Sequence, residues 1–501
     1  MPQPSTRARV QPALTEPIAR GFIEFIGGPV GTHAGVGRAR WWTPVRVLIA
    51  TAYVFLSFGF LAKAPCLRAS MKDGQAVGLD WHGNWQYTTA CYNDIVPLYN
   101  ARGLDKPGFV YAYSWVEQGH TRYMEYPVLA GLFQGLMGWI SRGTYPLVKG
   151  LSLHIAPQAW YFAITAFVMS MIWVGVIRMV AELAGNRVWD TVLVAASPLI
   201  IVHAFTNWDI PSIAFAVGAM LAVKHERPLV AGVLIGLGTA FKMWPLFLLG
   251  AYLVLAIRSS KLKKFGVMVG GAAGAWLLVN LPIMIAYPYA WAEFAKLNSN
   301  RSWEWTTIWA IMAREFGRHG FDGSGQKPAI LNAVTFVLFA AACIAICAFG
   351  VMTKRRPRVA ELTYLIVASF LLINKVWSPQ YSLWLVVPAV LALPNWRLLL
   401  SWMTVDAFVW PMLMWHMMGA KNKGIPGGLL DLVILTRDGF IIAIGVLIIR
   451  QMLGRTEDKV LRDNGGVDPL SGGFGVVDTF KPRKHRTVAT AASSVAQEET
   501  A

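Results

Sequence analysis

Apolar residues in this chain come in long runs separated by short polar stretches that carry most of the charge. The runs are about 15–25 residues, the length that crosses a hydrocarbon core of about 30 Å as a helix. Lipid admits only helices or closed barrels, because every backbone polar group must be paired internally. These runs are too long for barrel strands, so the pattern predicts an all-α, polytopic transmembrane bundle. Spans are expected at 43–62, 158–180, 189–206, 209–223, 266–286, 329–352, 359–374, 381–394, 397–417 and 438–453. The run 229–257 is broken by Phe241-Lys242-Met243-Trp244-Pro245 and reads as two short helices meeting at Lys242.

Two polar islands interrupt the pattern. The first outer loop, 63–157, holds a polar stretch to Glu125 and then the apolar segment 126–140. That segment is short for a span and ends at Ser141-Arg142-Gly143, so it is expected to lie at the interface. The second loop, 287–328, carries a Trp-rich amphipathic segment. With the interfacial segment not crossing, twelve spans put both ends of the chain on one side. The basic clusters at 258–264 and 354–358 share that side, which the positive-inside rule makes cytoplasmic. The stretch 63–126 instead balances six basic residues with six acids, so it is expected outside. Residues 1–42 and 454–501 read as disordered cytoplasmic tails around a membrane unit at 43–453.

Composition narrows the class. With 55% hydrophobic and 14% charged residues and a mean hydropathy of +0.46, this is no soluble chain. The net charge of +18 is spread over loop clusters, so it argues for a bilayer partner and against nucleic acid. The 22 tryptophans suit interfacial belts. Walker, Rossmann and zinc-protease motifs are absent. No repeat stands out, which counts against a secondary transporter. Of the four cysteines, Cys343 and Cys347 read as small core residues. Cys66 and Cys91 share the first loop and would be either a disulfide or two thiols, depending on the compartment.

Ionisable residues at span ends are the candidate chemistry, because their cost in lipid is met when they face a cavity. They are Asp80, Asp94 and Glu125 in the first loop, Asp209, Lys242, Arg301 with Glu304, Lys375 with Gln380 and Tyr381, and His416. Each has a plainer reading. Asp80 and Asp209 could be helix caps, Lys242 could snorkel, Arg301 and Glu304 could be a surface pair, and Asp94 could be solvated within an interfacial helix. Together they suggest a carboxylate acting as general base on a sugar hydroxyl, lysines holding a lipid phosphate, and aromatics stacking on sugar rings. Two or three outer carboxylates could also hold a divalent cation, Mg or Mn, while no His-rich ligand set is visible.

Four stretches carry a family resemblance. They are Asp80-Trp81-His82 with Leu98-Tyr99; Tyr123-Met124-Glu125-Tyr126-Pro127-Val128-Leu129-Ala130; the hairpin from Gly232 through Gly236 to Lys242 and Pro245; and Ser378-Pro379-Gln380-Tyr381 with Trp384. In this order they resemble the polytopic GT-C glycosyltransferases, and within them family 87. That family includes polyprenyl-phosphomannose-dependent α-mannosyltransferases and arabinofuranosyltransferases of the actinobacterial envelope. Val128 stands where the family has a second proline, which with Glu125 suggests a divergent branch. The resemblance implies two interfacial helices in the first loop and Asp80 as base of an inverting transfer, with Glu125 and Asp94 as fallbacks. It implies a polyprenyl-phosphate hexose donor, mannose above all, held by Lys242 and Lys375 with Arg301. Tyr99, Tyr126, Trp208, Asp209, Gln380, Tyr381 and His416 are the expected substrate contacts. The acceptor would be an envelope glycolipid or polysaccharide outside the cytoplasmic membrane. A transporter or flippase of lipid-linked sugars is the rival class.

Overall fold

The computed structural model describes residues 10–11, 16–25, 43–72, 75–151, 154–317, 322, 327–475 and 478–479. Fifteen helices position the site: α1 Pro44–Lys63, α2 Ile95–Ala101, α3 Val128–Gly150, α4 Pro157–Leu183, α5 Ile210–Lys224, α6 Pro228–Phe241, α7 Trp244–Arg258, α8 Leu262–Ala286, α9 Pro288–Asn300, α10 Ile308–Phe316, α11 Ala329–Met352, α12 Val359–Ile373, α13 Pro379–Ala392, α14 Trp396–Met417 and α15 Gly427–Met452. Six of them (α1, α4, α8, α11, α14 and α15) are long and apolar enough to cross a membrane, and α5, α6, α7, α12 and α13 are shorter apolar helices. The protein is a multi-pass, all-α membrane protein.

Local chemistry sets the helix ends. Proline opens α1, α4 and α6, where a missing N–H costs nothing. Thr43 Oγ1 accepts from Arg46 N at the start of α1, and Thr307 Oγ1 accepts from Ala310 N at the start of α10. The hairpin at Lys242 forms as expected: α6 stops at Phe241, Lys242 is extended (φ −149°, ψ 142°), and Pro245 opens the next helix. Its angle is fixed by contact with α8. A Cβ on Gly232 would meet Met268 O at 2.0 Å, and one on Gly236 would meet Ala272 O at 2.2 Å. The two backbones touch without side chains between them.

Several expected boundaries move. The segment 189–206 is not one helix, because Ser197 and Pro198 restart it and Leu199 N bonds to Ser197 Oγ. α3 does not stop at Ser141-Arg142-Gly143 but runs to Gly150, since Ser141 is buried and Arg142 donates to Leu104 O. α15 begins at Gly427, not 438. Arg437 and Asp438 look like a boundary, yet Arg437 bonds Asp438 (2.9 Å) and Thr306 O (2.7 Å) and lies 3.5 Å from the Trp377 ring centre. The first loop holds two short antiparallel hairpins, β1 Ala69–Lys72 with β2 Gln75–Leu79 and β3 Trp115–Glu117 with β4 His120–Arg122. Its two longer helices are α2 and α3, with short helical turns at Ala64–Leu67 and from His82 to Thr88.

The tails are also less loose than expected. Residues 454–475 fold back on the bundle: Asp458 caps a helix at Lys459–Asp463, and buried Phe474 stacks on Tyr252 at 5.5 Å. Glu16 precedes a helix at Pro17–Phe25 and pairs with Lys459 at 3.1 Å. Residues 1–9, 12–15, 26–42, 476–477 and 480–501, expected to be disordered, lie outside the described residues.

Candidate active site

The first loop is pinned where it approaches the bundle. Cys66 and Cys91 form a disulfide that ties the end of α1 to the segment before α2. Lys63 Nζ donates to Tyr92 O at 3.0 Å, and Trp410 Nε1 to Ala90 O at 2.8 Å. Ala90 takes a left-handed φ of 54° in that turn. The cap of α2 is supplied by Asn93, whose Oδ1 accepts from Val96 N at 3.0 Å. Asp94, the residue in the capping position, is thereby left with its carboxylate free of the helix. Its Oδ2 instead accepts from Asn207 Nδ2 at 2.7 Å.

Asp94 opens onto a cavity of about 690 Å³ that gathers residues from all along the chain. Lys242 reaches in from the hairpin, bonded to Asn207 Oδ1 (3.2 Å) and Asp209 Oδ1 (3.4 Å), and lies 5.7 and 5.5 Å from the Tyr126 and Tyr381 ring centres. Tyr381 stacks on Trp384 at 4.2 Å, and Trp384 Nε1 donates to Asp209 Oδ1. Asp209 heads α5 but does not cap it; its side chain serves Lys242 and Trp384. From the second loop come Arg301 and Glu304, 3.3 Å apart, with Ser378 Oγ donating to Glu304 at 2.7 Å. Two buried carboxylate oxygens, Asp209 Oδ2 and Glu304 Oε2, have no hydrogen-bond partner among the described residues. Apolar side chains, among them Phe370, Leu413, Met414 and Met417, also line the cavity.

Electrostatics separate the candidates. Asp94 is enclosed by protein while facing the cavity, and burial raises its pKa despite the Asn207 bond and the Lys242 charge. Burial likewise raises Glu125 and Glu304. Lys375 falls to about 8 through burial and the neighbouring Arg301 charge. Its ammonium is taken up by the carbonyls of Asn298 and Arg301, so it ties the second loop to the bundle.

The sequence expectations divide accordingly. Asp94, Glu125, Tyr126, Lys242, Arg301, Lys375, Gln380 and Tyr381 line one cavity, with Asp209 behind Lys242. Asp80 does not line it. It sits at the end of β2, bonded to His82 Nδ1 (2.6 Å) and Arg68 (3.2 Å), and the His82 hydrogen bonds hold its pKa below the ordinary value. Glu125 does not partner Asp80 but forms a bidentate pair with Arg102 at 3.0 Å. Tyr99 is core, stacked on Tyr161 at 4.6 Å, and Trp208 is fully buried behind Tyr126. His416 bonds Ile425 O outside the cavity. Glu125 is engaged by Arg102 and Glu304 by Arg301 and Ser378, and among the described residues no three His, Cys, Asp or Glu side chains converge as metal ligands. Arg102, Asn207 and Ser378 are the site residues that sequence reasoning passed over.

A model of glycosyltransferase family 87 matches residues 126–379, half of the chain. The chain belongs to glycosyltransferase family 87. It is therefore a membrane glycosyltransferase. The family 87 match opens at Tyr126 and closes at Pro379, so it contains Asn207, Asp209, Lys242, Arg301 and Lys375, while Asp94, Arg102 and Glu125 precede it. No curated protein matches. The crystal structure of ArnT from Cupriavidus metallidurans bound to undecaprenyl phosphate aligns with a TM-score of 0.37 at 12% identity, covering 82% of this chain and 79% of that one.

Proposed function

We propose that this enzyme transfers a hexose, with mannose the first sugar to test, from a polyprenyl-phosphate donor to an envelope glycolipid or polysaccharide on the outer side of the cytoplasmic membrane. The observation that carries the reading is one cavity lined by a carboxylate, Asp94, that pairs with no arginine or lysine and is held by Asn207, together with two cations, Lys242 and Arg301, and apolar side chains. In this reading Asp94, not Asp80, is the general base. It takes the proton of the acceptor hydroxyl as that oxygen bonds to the sugar's anomeric carbon from the face opposite the phosphate. The bond from anomeric carbon to phosphate oxygen breaks, and polyprenyl phosphate leaves with the electron pair, its charge met by Lys242 and Arg301. Tyr126 and Tyr381 flank Lys242 and offer ring faces to the sugar, and the apolar side chains receive the prenyl chain.

Membranes incubated with radiolabelled polyprenyl-phosphomannose test this. Asp94→Asn should lose about a thousandfold in rate, within the range typical of a general base, while inserting normally. Full activity in that variant would sink the assignment, and loss in Asp80→Asn alone would return the role to Asp80. Labelled donor that crosses the bilayer without entering any glycan would favour the flippase class. Competition by arabinofuranosyl donors decides the sugar.

A further inference from the structure

Arg301 and Glu304 stand on a turn between α9 and α10 that has no helix or strand of its own. The Arg301 side chain is 44% exposed, so its place in the cavity is set by the main chain that carries it. Lys375 holds the near end of that turn: its Nζ donates to Arg301 O, and its own carbonyl accepts from Glu304 N at 2.8 Å. Two arginines hold the far end. Arg314 Nη1, from α10, donates to Trp305 O at 3.0 Å, and Arg437 Nη2, from α15, donates to Thr306 O at 2.7 Å. Two successive carbonyls are thus each taken by a guanidinium, and charged donors make the stronger hydrogen bonds.

Each of these arginines is backed by an aspartate of α15. Asp431 accepts from Arg314 Nε at 2.9 Å, and Asp438 accepts from Arg437 Nε at 2.9 Å. Seven residues apart, the two aspartates fall two turns apart on one face of the helix. The aspartate neutralises each buried charge, and in both cases a further N–H goes to the turn. Arg437 also lies 3.5 Å from the ring centre of Trp377, in the segment that brings Lys375, Gln380 and Tyr381 to the cavity. α15 lies beyond the residues that the family model matches, which end at Pro379. Resting on the transfer reaction proposed above, we infer that α15 is a clamp on the active site. Arg314 and Arg437 are its positioning residues, and they hold Arg301 toward the leaving phosphate.

Two measurements on the full-length protein test the clamp. Lysine at either position keeps a charge for the aspartate but lacks the fork that reaches the carbonyl as well. With labelled polyprenyl-phosphomannose as donor, Arg437→Lys and Arg314→Lys should each lower kcat about tenfold, the scale expected when a group that meets the transition state is displaced by less than 1 Å. In an Arg301→Gln background the same changes should cost less than about twofold, because the charge they position is gone. Equal losses in the two backgrounds would mean damage to the fold at large, and they overturn the positioning role, as does an unchanged kcat in both variants. Arg314, at 14% exposure, provides the milder variant should the fully buried Arg437 not tolerate lysine. The second measurement needs no transfer. In phosphatidylcholine nanodiscs, amide hydrogen exchange over 302–307 should speed up about tenfold in either variant, while α6 and α8 keep the wild-type rate. Unchanged exchange over 302–307 in both variants overturns the clamp whatever the transfer assay shows. Faster exchange there in a protein that transfers nothing would remove the transfer reading and retain the clamp on the turn.

Discussion

Buried charge is used in opposite ways at the two ends of this bundle. Away from the cavity, Arg358 is fully engaged by Asp458 (2.8 Å), Leu391 O, Ala392 O and, at 3.9 Å, Glu361. Arg258 grips Asp478 and the carbonyls at the end of α11, and Arg187 joins Asp190, Asp463 and Glu16. Around the cavity the same residue types are left partly unspent: Asp209 Oδ2 and Glu304 Oε2 lack partners, and Asp94 keeps its carboxylate off the helix it precedes. Burial of charge therefore does not mark the active site here. Incomplete pairing beside open space is what sets the proposed site apart.

Five substitutions would break or sharpen that contrast. The largest effect is expected at Asp94, where the asparagine variant should lose about a thousandfold in rate yet keep its stability. The pKa of Asp94 is raised, so ionising it costs stability: the cost is full above the raised pKa, shrinks as pH falls below it and vanishes below the ordinary carboxylate value of the unfolded chain. The variant should therefore melt at or above the wild-type temperature at neutral pH, the difference closing as pH falls. Wild-type activity should fall on acidification at a pH above the ordinary carboxylate range. Next comes Lys242→Met, which strands Asp209 and should cost about 3–5 kcal/mol by thermal or denaturant unfolding, as well as transfer. Adding Asp209→Asn should restore much of the stability and none of the activity. Arg358→Met should destabilise to a similar degree, but the folded fraction should keep wild-type kcat/KM; a lower kcat/KM would erase the distinction between the two ends. Asp80→Asn, at a partly exposed ion pair, should change kcat/KM less than about twofold.

The parts of this molecule legible in the sequence are those governed by short-range rules. The break at Lys242 follows from a proline three residues on, and the apolar runs become helices because lipid leaves little else. Asp80 stands alone at a polar boundary in the sequence, and its partners Arg68 and His82 become visible only once β1 and β2 pair. A signal for Asp94 did exist. Asn93 and Asp94 are adjacent capping residues before one helix, and a helix uses only one of them. Asp94, Leu98 and Arg102 also share a helical face, which would have added Arg102 to the site. The disulfide, the Lys63 bond to Tyr92 O and the Trp410 bond to Ala90 O, which turn that face inward, are contacts no local pattern encodes. The folded C-terminal segment was hidden for a similar reason: its glycines and acids look loose until arginines from other elements neutralise them.

The seam between α6 and α8 bears on how such an enzyme can change. Main chain meets main chain at Gly232 and Gly236, so there is no side chain there for selection to trim or enlarge. Lys242, at the end of that helix, is held in place by a joint without adjustable parts. New sugar preferences should therefore arise by exchanging what surrounds the lysine, such as Tyr126, Gln380 or the Arg301–Glu304 turn, and a library that varied the seam should return only inactive clones.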